Sequence, residues 1–315
     1  MHTLRVGLRT VTDFTDPGLN AALDCGVVVL DKPQGPSSHQ AAAWAAEILG
    51  VKTGQGGTLD PMVSGVLVLM LGRAVRLAPV LLNHKKEYVA LMRLHKDVPE
   101  ERIRSVAKEF IGRQYQRPPK MSAVKRQLRI REVYDLEILD IDGRLVLMRV
   151  ECEAGTYIRL LCRHIALAMG AGGQMVELRR TKSGPFTEDE CVTLHDLRDA
   201  AEYAKEGNPE VLEKMILPVE RLADSLPKVV IREKAVDAVC HGAVLAAVGI
   251  LEKDNYKKNA RVAIMTQKGE LVCIGKAIVS SEDYAKSDTG LVIRPEIVIM
   301  EPGTYEKGWK TKKRD

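Results

Sequence analysis

The segment from Gly54 to Leu71 places the tightest limits on how this chain can fold. Three glycines, Gly54, Gly56 and Gly57, precede a single carboxylate, Asp60, and an apolar run from Val66 to Leu71 follows it. Glycine permits φ values closed to other residues and lets backbone approach a ligand closely. A carboxylate held in such a loop can act as a nucleophile or base. Asp before Pro is also a good helix start, with Asp60 as N-cap and Pro61 at the first helical position. Local chemistry leaves both readings open.

At 315 residues, with 45% hydrophobic and 28% charged residues, the chain suits an ordered protein of two domains, one larger than the other. No apolar run approaches the roughly 20 residues that span a bilayer. Arg5 and Arg9 sit near the N-terminus, but Thr, Asp and Pro soon interrupt it, which makes a poor signal peptide. The six cysteines (Cys25, Cys152, Cys162, Cys191, Cys240, Cys273) include no Cys-x-x-Cys pair, which argues against a zinc ribbon. They read as reduced thiols, mostly small core residues, in a cytoplasmic or nuclear protein. His84, His164 and His195 have no metal-ligand spacing, and no metal site is expected.

The net charge of +5 is unevenly placed. From Arg113 to Arg131 lie seven basic residues (Arg113, Arg117, Lys120, Lys125, Arg126, Arg129, Arg131) and no acidic one. Pro118 and Pro119 favour an extended or loop conformation there. Such a stretch is either a solvated surface loop or a field that attracts a polyanion through phosphate contacts; nucleic acid is the natural partner. The tail from Lys307 to Arg314 is basic too and reads as a solubilising end.

Gly26–Leu30 reads as a buried strand, and Ser37 with Gln40 as a capping box opening a helix that stops at Gly50. Strands are expected at 87–95, 144–152 and 175–178, and helices at 99–111 and 157–169. Strands alternating with single helices imply a mixed sheet with helices packed on it. A polar stretch near Lys205–Pro209, then Pro218 and Pro227, place a domain boundary near residue 225. Beyond it, a short helix at 234–241 and apolar strands at 229–231, 262–265, 271–279 and 292–300, with a turn at Lys268-Gly269, fit a small β-barrel.

Collinear blocks along residues 26–186 resemble the TruB/dyskerin family of RNA pseudouridine synthases. Thr58-Leu59-Asp60-Pro61 matches the catalytic motif, and Leu30 to His39, reading Leu-Asp-Lys-Pro-Gln-Gly-Pro-Ser-Ser-His, the first motif. Lys86 to Ala90, Gln116 to Pro119 with Ser122 to Arg126, Gly155 to Arg159, and Glu177 to Phe186 match further blocks. Ala238 to Ala243 resembles the RNA-facing edge of a PUA domain. The resemblance implies an α+β fold: a mixed-sheet pseudouridine synthase catalytic domain with flanking helices over 1–225 (1–25 an extension), then a small PUA β-barrel over 226–302 and a basic tail over 303–315.

It also implies a chemistry. The uridine N1–C1′ bond breaks, the base turns, and it rejoins through C5, so no cofactor is needed. The nucleotide must first leave the stack. By resemblance Asp60 is catalytic, Tyr88 stacks on the base, Arg159 pairs with Asp60, Leu178 walls the pocket, and Lys32 braces the active-site loop or touches substrate. Read alone, Tyr88 could equally be a core aromatic and Arg159 a solvated charge. RNA contacts are implied for Arg117, Lys120, Lys125, Arg126 and Arg129 of the basic loop and for His241 and Gly242 of the PUA edge. The family has His where this chain has Gln55 and commonly Gln174, so slower or altered catalysis is expected at most.

Lys52-Thr53-Gly54, Arg117-Pro118-Pro119 and Leu226 to Val230 resemble the archaeal and eukaryotic branch, which works in H/ACA ribonucleoproteins; the long lysine-rich tails of eukaryotic members are absent. That branch implies an H/ACA guide RNA, a target ribosomal or transfer RNA, a Nop-type small zinc-binding protein, a Gar-type protein and a kink-turn-binding protein. A guide-independent transfer-RNA enzyme and a non-catalytic RNA scaffold are the alternatives.

Overall fold

The computed structural model describes residues 14–118, 127–285 and 290–308. Strand β1 (Gly26–Lys32) is apolar on both sides: Val28 and Leu30 enter one core, Val27 and Val29 another. Helix α1 (Ser38–Leu49) opens with the capping box expected from Ser37 and Gln40 and ends at Gly50, whose φ is +66°. Strands β2 (Ser64–Leu71) and β3 (Lys86–Leu94) follow, then helix α2 (Glu100–Lys108), which buries Ile103, Val106 and Ala107. Next come β4 (Gly112–Gln116), β5 (Arg129–Asp142), β6 (Leu145–Cys152), helix α3 (Ile158–Ala168), β7 (Gly173–Ser183) and helix α4 (Leu194–Lys205).

These strands belong to one ten-stranded sheet, with the order Leu217–Pro218, β1, β2, β7, β3, β6, β5, β4 along its main path. β1 pairs antiparallel with β2, and β7, β3, β6, β5 and β4 form a second antiparallel series. The two halves meet where β2 and β7 run parallel, through Ser64 opposite Arg179 and Gly65 opposite Arg180. This narrow seam positions the site.

Two local readings change. Asp60 does not open a helix: residues Asp60–Val63 form a turn, closed by Val63 N–H on the Asp60 carbonyl at 2.9 Å, which leads straight into β2. Pro61 supplies the fixed φ that suits the second position of such a turn. The ends of the basic stretch are strand rather than loop, with Arg113 in β4 and Arg129 and Arg131 in β5.

The second sheet has six strands: Leu245–Ala246, β11 (Leu291–Val298), β10 (Leu271–Ala277), β9 (Arg261–Met265), β8 (Lys228–Ile231) and Ile250–Lys253. It curls into a nearly closed barrel around Val229, Ile231, Val262, Ile264, Val272 and Ile293, with helix α5 (Glu233–Cys240) packed by Val236 and Val239. Its outer face carries Ala263, Met265, Leu271 and Ile274 into the same core as Val27, Val29, Val66, Val68 and Phe186 of the large sheet. Burial of that shared surface couples the two domains. Arg73 reinforces the joint, reaching Asp24 at 2.6 Å and the Ile299 carbonyl at 3.0 Å.

Candidate active site

The loop before Asp60 is held from every side. Thr53–Gln55 pairs with β2, and Gly56 N–H donates to the Val68 carbonyl at 2.9 Å. Ser38, the first residue of α1, takes the Leu59 N–H at 2.7 Å and returns its hydroxyl to the Leu59 carbonyl at 2.9 Å. Beneath the turn lies Lys32, fully buried, whose ammonium donates to the carbonyls of Pro33 (2.7 Å), Val63 (2.8 Å) and Pro61 (3.4 Å). Three acceptors match its three donors. Burial, with the charge of Arg180 second, lowers the affinity of Lys32 for its proton, and Asp60 opposes that shift. Lys32 therefore holds the turn by its backbone.

Asp60 projects from this rigid turn with its side chain 66% exposed, and Arg159, near the start of α3, reaches it at 3.2 Å. The guanidinium, 53% exposed, fixes the direction of a carboxylate that a substrate can approach from solvent. At this exposure the pair contributes little to stability; it orients. Tyr157, which caps α3, is tied through its backbone N–H to the Gln116 side chain at 2.8 Å.

Tyr88 on β3 stands opposite Arg180 of β7 and Val150 of β6, and Leu178, buried, stands opposite Ala90. Burial pushes the Tyr88 phenol up from its ordinary pKa; the adjacent Arg180 guanidinium, by charge and hydrogen bonding, pulls the other way. The phenol is therefore held protonated at neutral pH. Tyr88 and Asp60 both lie within electrostatic reach of each other.

Arg180 is only 2% exposed, and nothing in its local sequence beyond the Glu177–Phe186 block marks it out. Its Nε donates to the Val66 carbonyl at 2.8 Å and its Nη2 to the Gly57 carbonyl at 3.0 Å, so one side chain joins the glycine loop and β2 next to Tyr88. Among the described residues no carboxylate lies within ion-pair distance of it. Lys86, two residues before Tyr88 on β3, donates to the Leu81 carbonyl at 3.0 Å; burial, then Arg180, lowers its pKa to about 7. Arg179 faces the other way and clamps β1, bidentate to Asp31 at 3.0 and 3.1 Å and bound to Glu188 at 2.9 Å. Adjacent arginines on opposite faces of a strand thus brace both sides of the seam. Gly65 is required there: its φ is +98°, and a Cβ would lie 2.2 Å from the Arg180 carbonyl oxygen.

Gln55 spends its amide on the loop, its carbonyl taking the Gly57 N–H at 3.0 Å and its NH2 donating to Thr58 Oγ1 at 2.9 Å. Gln174 is exposed on β7, opposite Arg93 and away from the Asp60 turn. Arg117 is exposed just beyond β4 and Arg129 begins β5, while Lys120, Lys125 and Arg126 lie outside the described residues. His241 and Gly242 sit at the exposed C-terminal end of α5, Gly242 with φ of +86°. They are on the second domain, separate from the Asp60 turn. No group of His, Cys, Asp and Glu suited to a metal ion occurs among the described residues.

Comparison with known proteins accounts for this arrangement. Residues 46–158 match the TruB family pseudouridylate synthase N-terminal domain, 159–224 the tRNA pseudouridylate synthase B C-terminal domain, and 227–299 the PUA domain. A Methanosarcina barkeri protein named as a probable tRNA pseudouridine synthase B is 52% identical over 293 residues, covering 92% of this chain and 87% of the relative. Two solved structures align closely. One, an H/ACA ribonucleoprotein bound to a substrate RNA containing 2′-deoxyuridine, has a TM-score of 0.88 at 47% identity and covers 94% of this chain and 93% of that one. The other, a Cbf5-Nop10-Gar1 complex, has a TM-score of 0.87 at 50% identity and covers 93% and 92%. With its glycine-loop aspartate oriented by Arg159 beside Tyr88, and its barrel fused to the catalytic core, the chain belongs to the TruB family of pseudouridine synthases and carries a C-terminal PUA domain.

Proposed function

We propose that this synthase is the catalytic subunit of an archaeal-type H/ACA ribonucleoprotein, isomerising uridines of ribosomal or transfer RNA chosen by a guide. The observation that carries the reading is likeness at 47–50% identity, over more than nine-tenths of both chains, to subunits solved in H/ACA assemblies. A guide RNA, a Nop-type and a Gar-type protein and a kink-turn-binding protein would complete the particle, working in the cytoplasm. Sequence choice then rests on base pairing, and the protein supplies phosphate contacts and chemistry.

In this reading the flipped uridine enters between Tyr88 and the Asp60 turn, with the Leu178 side as its apolar wall. The N1–C1′ bond breaks and C5 bonds to C1′; the C5 proton leaves to solvent and N1 ends protonated, so atoms balance without a co-reactant. Asp60 supplies the carboxylate at the sugar, as carboxylates do at anomeric carbons in glycosidases. Arg180 and Lys86 place positive charge under the base, where a uracil anion freed by cleavage is stabilised by preorganised donors.

Tritium release from RNA labelled at uridine C5 tests this, with native protein and Asp60→Ala, each with guide and partner proteins and again with transfer RNA alone. Release that needs both guide and Asp60 supports the proposal. Release from transfer RNA without a guide supports a stand-alone enzyme, the reading favoured by the name of the Methanosarcina barkeri relative.

A further inference from the structure

The loop that carries Asp60 is tied to the rigid core at several points. The Gly56 N–H is held by the Val68 carbonyl, the Gly57 carbonyl by Arg180, and both backbone polar groups of Leu59 by the Ser38 hydroxyl. The remaining grips come from Gln55. Its Oε1 takes the Gly57 N–H at 3.0 Å, and its Nε2 donates to Thr58 Oγ1 at 2.9 Å. Gln55 is itself fixed by its backbone, which ends the short strand Thr53–Gln55 opposite Leu69 of β2. Its amide therefore bridges the sheet to the two residues that precede Leu59 and Asp60.

This bridge falls where the chain is least restrained by its own chemistry. Gly56 and Gly57 are consecutive, and glycine loses more conformational freedom on folding than any other residue. Gly57 has φ of +129°, and a Cβ there would meet only Arg180 Nη1 at 3.7 Å and Lys86 Cε at 3.8 Å, which is ordinary contact. Hydrogen bonds rather than packing hold its torsions, Gln55 on the N–H and Arg180 on the carbonyl. A carboxamide offers one acceptor and two donors in a single protonation state, so this grip does not titrate. An imidazole, which the family has at this position, can match the acceptor–donor pair only while neutral; protonated, both of its nitrogens donate and the Gly57 N–H loses its acceptor.

We propose that Gln55 is a positioning residue for the isomerisation: its amide latches the glycine loop, aims the Asp60 carboxylate, and keeps that aim independent of pH. It touches no reacting atom and acts through the Gly57 and Thr58 groups it holds. The charged groups around the loop are Asp60, paired with Arg159, and the buried cations Lys32, Lys86 and Arg180. Three cations against one paired carboxylate would hold an imidazole placed here at or below its ordinary pKa near 6.5. The inference rests on the reading of Asp60 as the carboxylate at the sugar, while the latch itself can be measured without turnover.

The test compares native full-length protein with Q55A, Q55H and, as a control on β7 away from the Asp60 turn, Q174A. Three quantities are read: single-turnover C5-tritium release at saturating protein, RNA affinity by fluorescence titration, and amide exchange of residues 53–62 by mass spectrometry. Q55A should release tritium about tenfold to a hundredfold more slowly, bind RNA within about twofold of native, and exchange its loop amides about tenfold faster. Q174A should match the native protein in all three. Q55H should turn over within about threefold of native at pH 8, and the ratio of the two rates should fall by pH 5, about thirtyfold for an imidazole titrating at 6.5 and about fourfold for one a unit lower. Lys86, whose amine titrates near neutrality, is common to both proteins and cancels in that ratio. Native turnover in Q55A overturns the inference. So does an equal loss of RNA affinity, or a Q55H ratio that does not change with pH. Unchanged loop exchange in Q55A overturns it even where no protein releases tritium, an outcome that by itself counts against the reading of Asp60 instead.

Discussion

Arg180 offers a test in which stability and activity should part company. Replacing it with Met removes two charge-assisted bonds, to the Val66 carbonyl at 2.8 Å and the Gly57 carbonyl at 3.0 Å. At about 1.5–3 kcal/mol each, that loss is about 3–6 kcal/mol. Against it stands the desolvation of a guanidinium 2% exposed with no carboxylate beside it, a penalty of several kcal/mol that Met does not incur. The terms nearly cancel, so Arg180→Met should unfold within about 2 kcal/mol of the native protein. Arg180→Lys retains a buried cation next to Lys86, yet its compact head cannot span both carbonyls as the planar fork does. Lys should therefore destabilise more than Met, although it is the milder change in charge. Both should reduce single-turnover tritium release about a hundredfold, because a small shift of the Gly57–Asp60 loop misplaces the carboxylate. Urea unfolding and C5-tritium release on the same preparations decide it. Met more destabilising than Lys, or turnover retained in either variant, would refute the account of Arg180 as the brace of the site.

Three further outcomes follow from the same geometry. Asp60→Asn should abolish isomerisation while leaving the unfolding free energy within about 0.5 kcal/mol, since the Asp60–Arg159 pair is exposed; a large change in melting would show that the pair is structural. Gly65→Ala should cost about 2–4 kcal/mol and most of the turnover, from strain at φ +98° and a Cβ 2.2 Å from the Arg180 carbonyl, whereas Gly143→Ala, also at positive φ but with nothing within 4 Å, should cost about 1 kcal/mol and spare turnover; equal effects in calorimetry and tritium release would remove the special status of the seam. Lys86, whose pKa falls from 10.5 to about 7 on folding, binds fewer protons folded than unfolded between those values, so stability rises with pH across that window. Relative to Lys86→Met, the native protein should gain about 2 kcal/mol in urea unfolding between pH 7 and pH 9, and parallel pH profiles would mean that the amine is not buried as a charge.

What could be read from the sequence, and what could not, divides by the range of the interaction that decides each feature. The capping box of Ser37 and Gln40, the stop at Gly50 and the glycine loop before Asp60 depend on neighbours within a few residues, and those neighbours spell them out. Strand β5 was hidden because its buried residues Val133, Leu136 and Ile138 do not keep a strict alternation: the register with β6 slips between Val133 and Asp135 and again between Ile138 and Asp140. Each slip inserts a residue and breaks the period of two on which a strand is recognised. The role of Arg180 could not be read at all, since it depends on a parallel pairing that brings it to Gly65, more than a hundred residues earlier. β1 is the instructive intermediate. Its unbroken Val27–Leu30 run announces burial on both faces, as such runs do, and one face meets the helices of the catalytic domain. The other meets the core shared with the PUA barrel. A strand buried on both faces requires cover on its second side, and here that cover includes Ala263, Met265, Leu271 and Ile274 of the barrel, which gives the PUA surface a defined position relative to Asp60.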